Sequence, residues 1–246
     1  MEKIKIISTA LFASLLVACG SDNNDTEITT PPTSSTPEPT PVMPIGAWSG
    51  NVITPKDGVK EAIGMVTKDG TFTLIVKNGH QYTSILNLKQ KHDFLVDATA
   101  FSADGYKIND GFLSGHYNKD SINGLTVFNN SEASNFDLSP LNVDNSNLST
   151  LAGNYANTAM TTSVMLDEDG ALSGSDTSGC QYTGTLAPQD EANIYSLSIT
   201  VSSCANFDGE YTGLATYGKI FTDTPEGLIF QGSNANNSIT NILFKN

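Results

Sequence analysis

The side chains of this chain that could do chemistry are few and scattered. Its three histidines, His80, His92 and His116, all fall in the first half. A zinc centre needs three or four ligands converging on tetrahedral geometry. No short ligand spacing links these three, so they read as solvent-facing. Asp167-Glu168-Asp169-Gly170 has the acidity with which a calcium loop begins, but Ala171, Leu172 and Ser173 follow where further oxygen ligands are needed. Lys68-Asp69-Gly70 occupies the corresponding turn a hundred residues earlier without that acidity. An Asp-Gly hairpin turn accounts for both. Ser114 and Ser178 have glycine neighbours, yet neither lies in a Gly-x-Ser-x-Gly elbow. No glycine-rich phosphate loop precedes a helix, and carboxylate pairs such as Asp208 with Glu210 are too common here to single out. The expectation is a chain with no catalytic residues, no metal and no cofactor, and so not an enzyme.

The elements that would position these residues are β-strands. Phe72, Leu74 and Val76 alternate with Thr71, Thr73 and Ile75, and Asn78-Gly79 then supplies a hairpin turn. Phe94, Val96, Ala98 and Ala100 continue the alternation, and Ala103-Asp104-Gly105 turns the chain again. No stretch after residue 20 sustains a helical period.

The pattern occurs twice. Asp69-Gly70 returns as Asp169-Gly170, and Gly79-His80-Gln81-Tyr82-Thr83-Ser84-Ile85-Leu86 as Gly179-Cys180-Gln181-Tyr182-Thr183-Gly184-Thr185-Leu186. Shifted echoes follow: Gly111–Gly115 with Gly209–Gly213, Gly124–Phe128 with Gly227–Phe230, and Gly46-Ala47-Trp48-Ser49 with Ala152-Gly153-Asn154-Tyr155. The spacing predicts an all-β chain of two tandem homologous units, 46–142 and 148–246, each with about eight strands in a meander that can close into an up-and-down barrel.

Ahead of the units, Lys3 and Lys5 precede the apolar run Ala10-Leu11-Phe12-Ala13-Ser14-Leu15-Leu16-Val17, which is shorter than the roughly 20 residues a membrane-spanning helix requires. Residues 1–18 read as a removable signal peptide. Leu16-Val17-Ala18-Cys19 resembles the lipobox of bacterial lipoproteins. That resemblance implies cleavage before Cys19 and a diacylglycerol on its thiol, so that palmitate-like acyl chains anchor the protein. Gly20 rather than Asp follows the cysteine, which in that family implies delivery to the outer membrane. Each buried methylene contributes about 0.8 kcal/mol, and more than one chain makes anchoring stable.

Residues 19–45 hold almost no large apolar side chains and are dense in Thr, Ser, Pro and Asn. Such a segment cannot offset its ordering entropy by burial, and it reads as a disordered tether. Losing residues 1–18 removes Glu2, Lys3 and Lys5 and moves the formal charge from -14 to -15. That charge should repel nucleic acid. All twelve basic residues are lysines, which excludes guanidinium clamps on phosphate.

With Cys19 taken by lipid, Cys180 and Cys204 are an even pair in an oxidising compartment. Cys180 opens one strand, and the return strand Ile194–Val201 ends just before Cys204, with the turn near Gln189-Asp190-Glu191. Antiparallel pairing sets those ends opposite each other, so a disulfide is expected. It would contribute roughly 3 kcal/mol by restricting the unfolded chain. Only the second unit would be stapled, because His80 stands where Cys180 does.

Paired β-modules on a lipidated tether are similar in architecture to surface lipoproteins of Gram-negative bacteria with small β-barrel domains. Gly46-Ala47-Trp48 also resembles the Gly-x-Trp start of lipocalins, although the duplication argues against a single lipocalin-sized barrel. Two functional classes follow. One is a non-enzymatic outer-membrane lipoprotein, a binding or adhesion module presenting the loops of its β-units to a host factor, an envelope component or a small ligand. The other is an accessory envelope lipoprotein contacting a protein machine from the periplasmic face. In either class the anchor is Cys19, so Cys19→Ser should move the protein from the membrane pellet to the soluble fraction. Full sedimentation of that variant in detergent-free buffer would refute the lipid anchor.

Overall fold

The computed structural model describes residues 42–86, 92–128, 133–142, 147–189 and 193–246. The signal peptide, Cys19, nearly all of the tether, and Asp190 and Glu191 lie outside the described residues.

Two closed eight-stranded antiparallel barrels are present. The first comprises β1 (Gly46–Thr54), β2 (Gly58–Val66), β3 (Thr71–Val76), β4 (Gln81–Ile85), β5 (Asp93–Phe101), β6 (Lys107–Tyr117), β7 (Ile122–Phe128) and β8 (Ser134–Pro140). A short helix, α1 (Leu148–Leu151), leads into the second. That barrel comprises β9 (Gly153–Ala156), β10 (Thr162–Leu166), β11 (Ala171–Asp176), β12 (Gln181–Pro188), β13 (Ile194–Ser202), β14 (Gly209–Gly218), β15 (Gly227–Ser233) and β16 (Ser238–Lys245). Each strand pairs with its chain neighbours, and β8 and β16 return to close on β1 and β9. The expected all-β meander and its duplication are therefore both present.

Because side chains alternate along a strand, closure gives each barrel an inside and an outside. Trp48, Phe72, Leu74, Tyr82, Leu113 and Phe136 are among those that fill the first interior, and Tyr155, Leu172, Tyr182, Tyr211 and Phe230 among those that fill the second. Apolar inside with Asp, Lys and Thr outside is the reverse of a membrane-spanning barrel, whose lipid-facing surface is the apolar one.

The ladders refine the repeat. Leu74 lies opposite Tyr82 and Gly174 opposite Tyr182, so the tyrosines are equivalent at the offset of 100 read from the sequence. The Asp-Gly turns match as well. Gly70 (φ +88°) and Gly170 (φ +90°) are both left-handed, and a Cβ on either would meet the carbonyl of Leu86 or Leu186 at 2.3 or 2.2 Å. The looser echoes are corrected. Tyr117 pairs with Ile122 and Tyr217 with Leu228, so Gly111 stands at Tyr211 rather than Gly209, and Gly124 at Phe230 rather than Gly227. Trp48 stands at Tyr155 rather than Asn154, since a one-residue slip would turn one of the two rings outward. Their hydrogen bonds agree: Trp48 Nε1 donates to the carbonyl of Pro44 and Tyr155 OH to that of Leu151, four residues back in each case.

A third apolar cluster joins the barrels. Outward-facing Ala47, Ile63, Met65 and Ile75 of the first pack with Ile194, Leu214 and Ile229 of the second and with Ile220 and Phe221 from the β14–β15 connection. That connection, 219–226, is longer than its counterpart 118–121, and the extra residues form part of the seam. Polar groups also cross it. The Ser238 hydroxyl lies 2.7 Å from Gln81 Oε1, the backbone amide of Ser238 donates to the Gly105 carbonyl at 2.7 Å, and that of Ala47 to Asn193 Oδ1 at 2.9 Å.

The seam makes two outward isoleucines of one barrel unequal. Ile75 is 2% exposed and Ile85 67%. Ile75→Ala should therefore cost about 2–4 kcal/mol in urea unfolding. Ile85→Ala should change stability by no more than about 0.5 kcal/mol. Equal effects would mean that the seam does not bear on stability.

Candidate functional site

A concavity with a volume of about 1110 Å³ forms a groove beside the seam, between outward faces of β3–β6 and of β13–β15. Its floor is a set of rows crossing the strands. Thr73 lies opposite Thr83, Thr83 opposite Thr99, and Thr99 opposite Asp110, so one row is three hydroxyls ending in a carboxylate. The next row holds Thr71 opposite Ile85, and Asp97 opposite Phe112. Beyond it lies Leu95, whose row leaves the groove through Ser114 and Leu125, as Phe112 does in the row before. The second barrel contributes Ser196, Thr212, Leu214 and Ser233 to the other wall.

The electrostatics of the groove are one-sided. Asp69, Asp97 and Asp110 line it, and no lysine or histidine is among its lining residues. Lys107 lies beside it, 2.9 Å from Asp110, and Thr99 donates to the same carboxylate at 2.8 Å. These bonds, from Lys107 first and then Thr99, hold the Asp110 carboxyl below its ordinary range. Asp69 is held down mainly by the Thr67 hydroxyl. Asp97 and Asp110 are diagonal neighbours across β5 and β6. The Ser84 hydroxyl donates to the Asp97 carbonyl at 2.6 Å. What the groove offers is hydrogen bonding, negative charge and apolar contact.

The residues singled out in the sequence do not converge there. His92 and His116 meet at one end of the first barrel, with ring centroids 5.8 Å apart and His116 Nδ1 2.9 Å from Asp93. His80 is at the opposite end, near Tyr82, and burial lowers its pKa. No group of three or more His, Cys, Asp or Glu side chains able to hold a metal ion occurs among the described residues. Asp167 spends one carboxylate oxygen on the backbone amides of Asp169 (3.0 Å) and Ala171 (2.7 Å), as the Asp-Gly hairpin reading requires. Ser178 donates to Asp176 in the β11–β12 turn, and Ser114 sits in the outer apolar row. Asp208 accepts from the Cys204 amide at 2.6 Å.

Cys180 and Cys204 form a disulfide, with Cα atoms 4.5 Å apart. They flank the Gln181–Ser202 pair of β12 and β13, as the hairpin geometry implied. The bridge anchors a turn, Ala205–Phe207, whose Phe207 ring packs on Tyr106 of the first barrel with centroids 4.9 Å apart. A smaller cavity of about 310 Å³ opens beside it, lined in part by Asp176, Tyr182 and Thr162. Tyr182 OH donates to Asp176 at 2.7 Å; burial, then that carboxylate, raises the phenol's pKa.

No family model, curated protein or solved structure matches this chain. The functional reading accordingly rests on the groove, on the way the two barrels are held, and on the amino-terminal sequence.

Sequence reasoning missed both the groove and the clasp at the far side of the seam. There Glu61 accepts from the Thr222 amide at 2.8 Å and from its hydroxyl, while Lys77 Nζ lies 2.9 Å from Glu61, reaches Asp223 and sits 5.1 Å from the Phe221 ring centroid. The available signal was the run Ile63-Gly64-Met65-Val66 with Leu228-Ile229-Phe230, strands apolar on both faces.

Hydrogen bonds from Lys77, and then from Thr222, lower the Glu61 carboxyl from 4.5 to about 2. A depressed folded-state value stabilises above the unfolded value, and that contribution is lost as pH falls through the folded one. Glu61→Gln should therefore cost about 1 kcal/mol at neutral pH, after discounting for partial exposure. The gap between wild type and variant should close between about pH 4.5 and about pH 2, read from urea midpoints across that range. A gap that persists unchanged at the acid end would show that the charge of Glu61 is not what holds the clasp.

Proposed function

We propose that this chain is a non-enzymatic outer-membrane lipoprotein acting as a binding or adhesion module, with the groove beside the seam as its recognition surface. The observation that carries this reading is the groove itself. It is large, its floor consists of outward side chains on closed ladders, and its lining residues include no histidine, lysine or cysteine to supply a catalytic base or nucleophile.

Three further features support it. The seam cluster and its hydrogen bonds hold the two walls together, so an occupant would not have to order them on binding. Closed barrels have no free strand edge, which directs recognition to side chains rather than to strand addition. The lipobox-like Leu16-Val17-Ala18-Cys19 and the following tether suit a domain held at a membrane surface yet clear of it.

A photo-crosslinking residue placed at Ile85, in the groove, should yield a defined adduct on intact cells. The same residue at Met165, exposed on β10 of the second barrel and outside the groove, should not. Protease added to those cells should degrade the globular part. Adducts at Met165 but not Ile85 would overturn the groove as the recognition surface. Degradation only after lysis would favour the accessory periplasmic role.

A further inference from the structure

We propose that the occupant of the groove is an extended polypeptide segment in which cationic and apolar side chains alternate. The proposal rests on the reading of the groove as the recognition surface and names the chemistry of its partner.

Apolar exposure is the first reason. Ile85 (67%) and Leu95 (71%) in the groove, and Phe112 (38%) and Leu125 (37%) beyond its lining, are outward-facing side chains left in contact with water on the successive strands β4 to β7. Neighbouring strands are about 4.8 Å apart, so this strip runs roughly 15 Å across them. Four or five extended residues cover that distance at about 3.3 Å each. A contiguous exposed apolar strip of this kind marks a contact surface.

Charge is the second. Asp97 lies in the row between Ile85 and Phe112, and Asp110 ends the row beside it. No lysine lines the groove, and Lys107 at its edge is already bonded to Asp110. Within a chain of net charge -14 this surface repels phosphate, which disfavours nucleic acid, and attracts ammonium or guanidinium groups.

Backbone chemistry is the third. An extended peptide carries donors and acceptors that must be satisfied when water is displaced. Both barrels are closed, so strand addition cannot satisfy them. The half-buried hydroxyls of Thr83 and Thr99, opposite each other on β4 and β5, can both donate and accept. An extended chain sends alternate side chains to opposite sides. Lying along these rows with its side chains turned to the two sides, it sends one set toward the apolar strip at Leu95 and the other toward the row that ends at Asp110.

The test uses the full chain in detergent micelles and fluorescence anisotropy with three labelled synthetic extended peptides, alternating Lys-Val, Ser-Val and Glu-Val, with maltohexaose as a neutral oligosaccharide competitor. Lys-Val should bind roughly tenfold more tightly than Ser-Val, and salt should weaken it. Asp97→Asn/Asp110→Asn and, separately, Ile85→Asn/Leu95→Asn should each weaken Lys-Val binding roughly tenfold. Asp137→Asn/Glu168→Gln removes the same charge from exposed positions outside the groove and should change binding by less than about twofold. Thermal unfolding of each variant checks that the fold survives. Equal loss in the control variant would reduce the effect to net charge and overturn the proposal. So would equal affinity for all three peptides, no binding of Lys-Val, or displacement by maltohexaose. If groove crosslinks at Ile85 persist while Lys-Val fails, the occupant is wrong and the groove stands.

Discussion

Closure of each strand ladder is the constraint from which the rest of the molecule follows. Once β8 bonds to β1 and β16 to β9, every strand has two neighbours and no register can slip without turning a whole strand inside out. That requirement places Trp48 and Tyr155 at one position although they are different residues in poorly matching sequence. It also places Gly70 and Gly170 at turns so close to the next hairpin's backbone that no side chain fits. Ring closure therefore preserves the geometry of the repeat where the sequences of the two copies have drifted.

With the insides filled, the difference between the copies lies on the outside. Where outward residues are apolar, at Ile63, Met65 and Ile75 against Leu214 and Ile229, the barrels bury them against each other. Where they are hydroxyls and carboxylates, at Thr83, Thr99 and Asp110, the surface stays open and forms the floor of the groove. The longer connection 219–226 carries Phe221 and Thr222 into the seam, and the disulfide anchors the turn that meets Tyr106. Both features belong to the second copy alone. The two copies are thus alike in how they fold and unlike in how they dock.

The groove lies between outward faces of the two barrels and is lined by hydroxyls, carboxylates and apolar side chains. Two of its carboxylates are held in the charged form, Asp110 by Lys107 and Thr99 and Asp69 by Thr67.

The sequence by itself determined the all-β class, the duplication, the Asp-Gly hairpins, the equivalence of Tyr82 with Tyr182 and the pairing of Cys180 with Cys204. These depend on alternation and turn chemistry between residues close along the chain, and local sequence carries that information. Only the tertiary structure decided the true register of the later strands, because glycine echoes such as Gly124 with Gly227 can be aligned in more than one way until a closed ladder selects one. It alone also decided which apolar outward residues are buried. Ile75 and Ile85 read alike in a strand pattern, and only the position of the other barrel makes one of them core and leaves the other in water. The groove was illegible for the same reason: its two walls are more than a hundred residues apart in sequence, and each taken alone is an ordinary polar barrel face.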